Sequence, residues 1–142
     1  MDTKEIKEAL GPGAVFPIGD KNDAFAKYFI GQSYLQMLTT DRIGVANVTF
    51  EPGCRNNWHI HHGQNGGQVL LCTGGRGWYQ EWGKEPQELR PGDVVNIPPE
   101  IKHWHGAAKD SCFSHIAVEI PCEGASNEWL EAVENDAYGL LP

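Results

Sequence analysis

Gly53-Cys54-Arg55-Asn56-Asn57-Trp58-His59-Ile60-His61 is the stretch on which the reading of this chain turns. In a strand, residues i and i+2 face the same side, so His59 and His61 stand together and Ile60 turns away. A helix would set the two imidazoles about 200° apart. A third histidine, His103, follows a Pro91-Gly92-Asp93 turn. Two cofacial imidazoles and a third from another strand make most of a divalent-metal site.

Outward from that stretch, short apolar runs alternate with Gly, Pro, Asn and Asp turns. The runs cover residues 34–38, 43–50, 58–61, 68–73, 77–82, 93–97 and 113–120. Their length and spacing predict an antiparallel all-β barrel or sandwich. Gly66-Gly67, Gly74-Gly75 and Pro98-Pro99 mark turns. The first ten residues predict a short helix, capped by Asp2 or Thr3 and ended by Gly11. Residues 19–27 lack periodicity and read as an arm. Residues 126–133 predict a second short helix, with Ser126 or Asn127 as its cap.

The chain has 142 residues, which suits one domain with a barrel core over about 34–120. No run approaches the roughly 20 apolar residues that span a bilayer. Met1-Asp2-Thr3-Lys4-Glu5 is charged, unlike a signal peptide, so a soluble cytoplasmic protein is expected. The net charge of −8 argues against a nucleic-acid partner, which needs a basic face. Cys54, Cys72, Cys112 and Cys122 form no CxxC pair and are expected to be reduced.

The spacing of these residues resembles the cupin superfamily. Gly53, five residues, His59-x-His61, Gln68 and Gly75 resemble the first cupin motif. Gly92, five residues, Pro98-x-Glu100, two residues and His103 resemble the second. The resemblance covers roughly 43–120 and implies a double-stranded β-helix, or jelly-roll barrel. It also implies a metal inside, held by His59, His61, His103 and a residue at the acidic position, which here is Gln68. A glutamine carbonyl is a neutral oxygen donor. Three imidazoles and an amide leave a divalent metal at formal charge +2, which weakens binding and favours polarising a bound oxygen.

Further stretches resemble a narrower group, the carboxymuconolactone-decarboxylase-like cupins. They are Trp58-His59-Ile60-His61, Gly67-Gln68, Pro91-Gly92-Asp93-Val94-Val95, residues 102–108 around His103-Trp104-His105, and Ser114-His115-Ile116-Ala117-Val118-Glu119. Within that group the pattern is similar to bacterial cupin hydroxynitrile lyases. This implies manganese as the metal, with iron, zinc or nickel as alternatives.

Each residue also has a plainer reading. Gln68 could be a structural hydrogen-bonding side chain rather than a ligand. His62 alternates away from its neighbours, as a loop or solvent residue would. His105 shares a face with His103 and is either a group near the metal or a packing residue. His115 groups by alternation with Phe113 and Ala117 and is either a buried structural histidine or a general base. Trp78, Tyr79 and Trp82 read mostly as core. Arg76 and Lys102 read as solvated cations.

The reading that follows is a metal-dependent enzyme for a small molecule, lyase-like, in which the metal takes a substrate oxygen and His115 or His105 moves a proton. An iron-dependent dioxygenase and a non-enzymatic metabolite-binding cupin are the alternatives. A homodimer is expected. It would cover an apolar outer sheet face at Ile116, Val118 and Ile120, and the arm at Ala24–Ile30 would cross to the second subunit.

Overall fold

The computed structural model describes all of residues 1–142. In chain order it contains α1 (Thr3–Leu10), β1 (Asp20–Lys21), a 3₁₀ segment (Asp23–Tyr28), β2 (Phe29–Ile30), β3 (Ser33–Thr39) and β4 (Val45–Phe50). There follow β5 (Arg55–Asn56), β6 (His59–His62), β7 (Gln68–Gly75), β8 (Gly77–Glu81), β9 (Gln87–Leu89) and β10 (Val94–Ile97). The chain ends with β11 (His103–Ala107), β12 (Phe113–Glu119), β13 (Ser126–Trp129) and α2 (Asn135–Gly139).

All strand pairs are antiparallel. One sheet runs β1-β3-β4-β12-β7-β10. The other runs β13-β6-β11-β5-β2, with β8 on β11 and β9 on β8. The alternating runs predicted an antiparallel barrel or sandwich, and this arrangement is the jelly roll that the cupin resemblance implied. Period-two alternation sets which residues face inward: along β7, Gln68, Leu70 and Cys72 are buried, while Val69, Leu71 and Thr73 are less so. One part of the interior is filled by a cluster that includes Phe50, Leu70, Leu89, Ile97 and Phe113. The histidines stand in the rest, where the interior opens into a cavity.

α1 begins as expected, with Asp2 Oδ1 accepting from the Glu5 backbone N–H at 2.8 Å, and Gly11 ends it at φ 88°. Its Ile6 and Leu10 pack with Ala14, Ile18, Tyr34 and Cys112 in a second cluster outside the barrel.

Three expectations need correction. Residues 126–133 are not a helix. Ser126–Trp129 form β13 and pair with β6 in the register Asn127↔His61 and Trp129↔His59, and the terminal helix lies later, at Asn135–Gly139. The Ser-Asn-Glu capping signal is local, and it yields to the open edge of β6, whose backbone groups need partners. The arm does not reach away from the barrel. Phe29 and Ile30 pair with Asn56 and Arg55 of the same chain, and Tyr28 stacks on Trp129 at 4.6 Å between ring centroids. Ile116 is already buried within the chain, so it is not part of an open outer face. The sheets therefore recruit residues on both sides of 34–120.

No helix is long and apolar enough to cross a membrane. The four cysteines are free thiols. Burial pushes Cys54 and Cys72 up to about 12, which keeps both protonated and unreactive. Trp78 and Tyr79 are buried, whereas Trp82 is 58% exposed, with Lys102 Nζ 3.5 Å from its ring centroid.

Candidate metal centre

Strand register assembles the centre. His59 and His103 are direct partners across β6 and β11, which puts their ring centroids 4.1 Å apart. His61 follows two residues along β6 on the same face. Its ring lies 5.1 Å from both His59 and His103.

The three rings share one hydrogen-bond pattern. Nδ1–H of His59 donates to the Asn57 carbonyl at 2.8 Å. That of His103 donates to the Ile101 carbonyl at 2.8 Å, and that of His61 to Asn127 Oδ1 at 2.7 Å. Oxygen acceptors at Nδ1 fix the tautomer with the Nε2 lone pair free, the state a metal ligand needs. Nε2 of His61 and of His103 is buried with no hydrogen-bond partner. Buried polar atoms are rarely left unpaired, and a divalent cation would satisfy both. The donor chemistry therefore fits a metal.

By nitrogen spacing alone, the tightest group is His59, His103 and His105, with atoms within 4.8 Å of one another. His105, however, is already engaged. Its backbone N–H donates to Asn56 Oδ1 at 2.9 Å, which orients the Asn56 amide. Asn56 Nδ2 then faces the His105 ring, 3.2 Å from Nε2, and His105 Nδ1 lies 3.2 Å from His115 Nε2. Asn56 Nδ2 also lies 3.4 Å from His105 Nδ1, so the amide sits over the ring, while Nδ1–H of His105 donates to His115 Nε2. His105 is thereby tied to both Asn56 and His115. His61, with its free Nε2, is the better third donor.

Burial controls the charge of the cluster. Loss of solvent, then neighbouring imidazoles, holds His105 well below the ordinary histidine range. Desolvation lowers His115 to about 3 and His103 to about 4. His59 is also well below its usual value, by burial first and the nearby His103 second.

His59, His61, His105 and His115 look onto a cavity of about 190 Å³, and His103 stands behind them against His59. Leu35, Ala46, Val48 and Ala117 form apolar wall, and Phe25, Phe29 and Trp129 bring an aromatic edge from the arm and β13. Gln68 lines it beside His59 and His61, and its Nε2 donates to Glu119 Oε1. His115 faces inward with Ala117, as alternation predicts. Trp104 turns outward into a cluster with Trp58, Trp78 and Tyr138. Arg76 and Lys102 do not line the cavity. Arg76 pairs with Asp110 at 2.7 Å and Lys102 with Glu131 at 2.8 Å. His62 is not a free solvent residue, because Glu100 and Glu128 flank it at 2.6 and 2.7 Å. Asn56, Asn57, Glu119, Asn127 and the aromatic edge were not singled out as site residues from the sequence, which offered Asn127 only as a helix cap. Only Glu119 carried a signal, as the last residue of the Ser114–Glu119 stretch.

Residues 46–118 match the Cupin_2 family, described as a cupin domain. This chain is a cupin. It is 44% identical over 93 residues to an (R)-mandelonitrile lyase from Granulicella tundricola, covering 66% of this chain and 69% of the relative. A cupin-like protein of known structure from Thermotoga maritima is 41% identical, with a TM-score of 0.79 over 87% of this chain and 93% of its own. The DMSP lyase DddQ from Ruegeria pomeroyi shares the fold at 18% identity and a TM-score of 0.56, over 75% of this chain and 54% of its own.

Proposed function

We propose that this cupin is a metal-dependent lyase that cleaves, or in reverse forms, a small uncharged α-hydroxy compound of the cyanohydrin type. The observation that carries the reading is the set of three anchored histidines, with free Nε2 atoms, at an apolar cavity beside a neutral histidine pair. The likeness to an (R)-mandelonitrile lyase supports the same chemistry. His59, His61 and His103 would hold the metal through Nε2, with the Gln68 carbonyl as the oxygen donor, and manganese is the metal expected. When bound, it supplies a Lewis acid that polarises a substrate oxygen and lowers the pKa of a hydroxyl.

The chain's own residues do the rest. An apolar cavity of about 150 Å³ takes a benzene-sized molecule, so about 190 Å³ suits a substituted phenyl or short alkyl group. The aromatic edge at Phe25, Phe29 and Trp129 would pack against it and exclude water. No lysine or arginine lines the cavity, and Glu119 brings the one carboxylate, which disfavours anionic substrates. His115 is neutral and accepts at Nε2, where the substrate hydroxyl would replace His105 Nδ1–H. The hydroxyl proton passes to His115 and the C–O bond becomes a carbonyl. The carbon–carbon bond to the nitrile breaks, and its electron pair leaves as cyanide. His115 then returns the proton, so the products are an aldehyde and hydrogen cyanide.

The test is manganese-loaded protein with (R)-mandelonitrile, followed by benzaldehyde absorbance. Cleavage should stop on chelation. His115→Ala should retain the metal by elemental analysis and lose roughly 10²- to 10⁴-fold in turnover. Loaded wild-type protein that releases no aldehyde would sink the reading. Metal-bound His115→Ala with unchanged kcat would move the base to His105.

A further inference from the structure

Gln68 and Glu119 are direct register partners across β7 and β12, and both line the cavity. Gln68 is buried. Its Nε2 donates to Glu119 Oε1, and a carboxylate only accepts, so the nitrogen end of the amide must face Glu119. That leaves the carbonyl end for the cavity. Glu119 takes part in none of the chain's ion pairs. Glu119 is half-buried, and Gln68 Nε2 is the one side-chain partner of its carboxylate. The ligand set proposed above is entirely neutral, and it has an amide at the position where the first cupin motif carries an acid.

On the reading that Gln68 is a metal ligand, we infer that Glu119 is a positioning residue for the metal centre: its carboxylate holds the Gln68 amide so that the carbonyl oxygen, and not the NH₂ group, meets the metal. An untethered glutamine can present either end, and an NH₂ group has no lone pair to offer a cation. The carboxylate also draws on the amide hydrogen and so makes the carbonyl oxygen a better donor.

The test measures Mn²⁺ affinity of the full chain by calorimetry, with circular dichroism and Tm as folding controls. Glu119→Gln can still present a carbonyl to Gln68 Nε2, and Glu119→Leu cannot. The leucine variant should bind Mn²⁺ roughly 10- to 100-fold more weakly than wild type, and the glutamine variant should lie much closer to wild type. In a Gln68→Glu background both ends of the side chain are oxygens, so Glu119→Gln and Glu119→Leu should bind alike. If the leucine variant does not fold, Glu119→Ala takes its place with the same expectation.

The outcomes separate. Wild type that binds no Mn²⁺ removes the metal site and this inference together. Gln68→Ala that binds like wild type removes Gln68 as a ligand, and Glu119 with it, while the histidine site stands. If Gln68→Ala is weak but Glu119→Leu and Glu119→Gln bind equally, whether unchanged or equally reduced, the positioning role is overturned and the histidine-plus-glutamine site survives.

Discussion

At the scale of single residues, each of the three candidate histidine ligands has its Nδ1 committed to an oxygen, and burial strips solvent from the ring. Replacing His59 and His61 together by alanine should abolish metal binding and leave the β circular-dichroism signal intact. Full metal occupancy in the double variant would exclude the proposed ligands. The same burial links stability to pH in metal-free protein. His115 and His103 titrate near 3 and 4 when folded, against an ordinary value of about 6.5 when unfolded. Below that value the unfolded chain binds protons that the native chain refuses. Stability is therefore full above about pH 6.5 and falls as pH drops toward 4, by at most ~1.4 kcal/mol per pH unit for each such ring. His62 acts in the opposite sense, because hydrogen bonds to Glu128 and then Glu100 raise its pKa. It is exposed, so its share is small. Urea unfolding of metal-free protein should show a lower midpoint at pH 5 than at pH 7. An equal or higher midpoint at pH 5 would contradict the buried neutral state.

At the scale of elements, β13 and the turn before β7 shape the site most directly. β13 lies on the edge of its sheet and supplies Asn127, whose Oδ1 receives the His61 Nδ1–H. Asn127→Ala should leave the fold in place and weaken metal binding roughly 10- to 100-fold, as loss of a ligand's outer partner does. Asn127→Asp keeps an acceptor and should retain affinity. Gly67 precedes Gln68 at φ 102°, and an added Cβ would sit 2.5 Å from the Ile97 carbonyl oxygen. Both the dihedral and the backbone contact forbid a side chain, and Ile97 is the register partner of Gln68. Gly67→Ala should cost about 2 kcal/mol or more by chemical denaturation and lower metal affinity through the displaced Gln68. A variant as stable as wild type would show that the turn can relax.

For the whole molecule, the prediction concerns assembly. Leu71 and Val94 are register partners on the outer face of the six-stranded sheet, and they are 39% and 62% exposed. This pair replaces Ile116 as the centre of the open apolar face. A second copy related by a two-fold axis would cover it. Light scattering should give about twice the 15.7 kDa chain mass. Val94→Lys should shift the species toward monomer. A monomeric mass for wild type at low micromolar concentration would contradict the dimer.

What the sequence determined by itself was local and periodic. Alternation put His59 with His61, His103 with His105, and His115 with Ala117, because a strand repeats every two residues whatever it pairs with. The glycine and proline turns divided the strands, and Asp2 began the first helix. Everything set by partners from elsewhere in the chain depended instead on how the elements pair and pack. Residues 126–129 carry a helix-start signal and form a strand, because β6 offered an unpaired edge. Residues 19–27 have no period of their own, and the arm at Ala24–Ile30 takes its place by stacking Tyr28 on Trp129 and pairing Phe29 and Ile30 with β5. The hydrogen bonds from Asn127 to His61 and from Gln68 to Glu119 join residues 66 and 51 positions apart. Separations of that length leave no periodic trace, so register and pairing alone set which polar group orients which ligand.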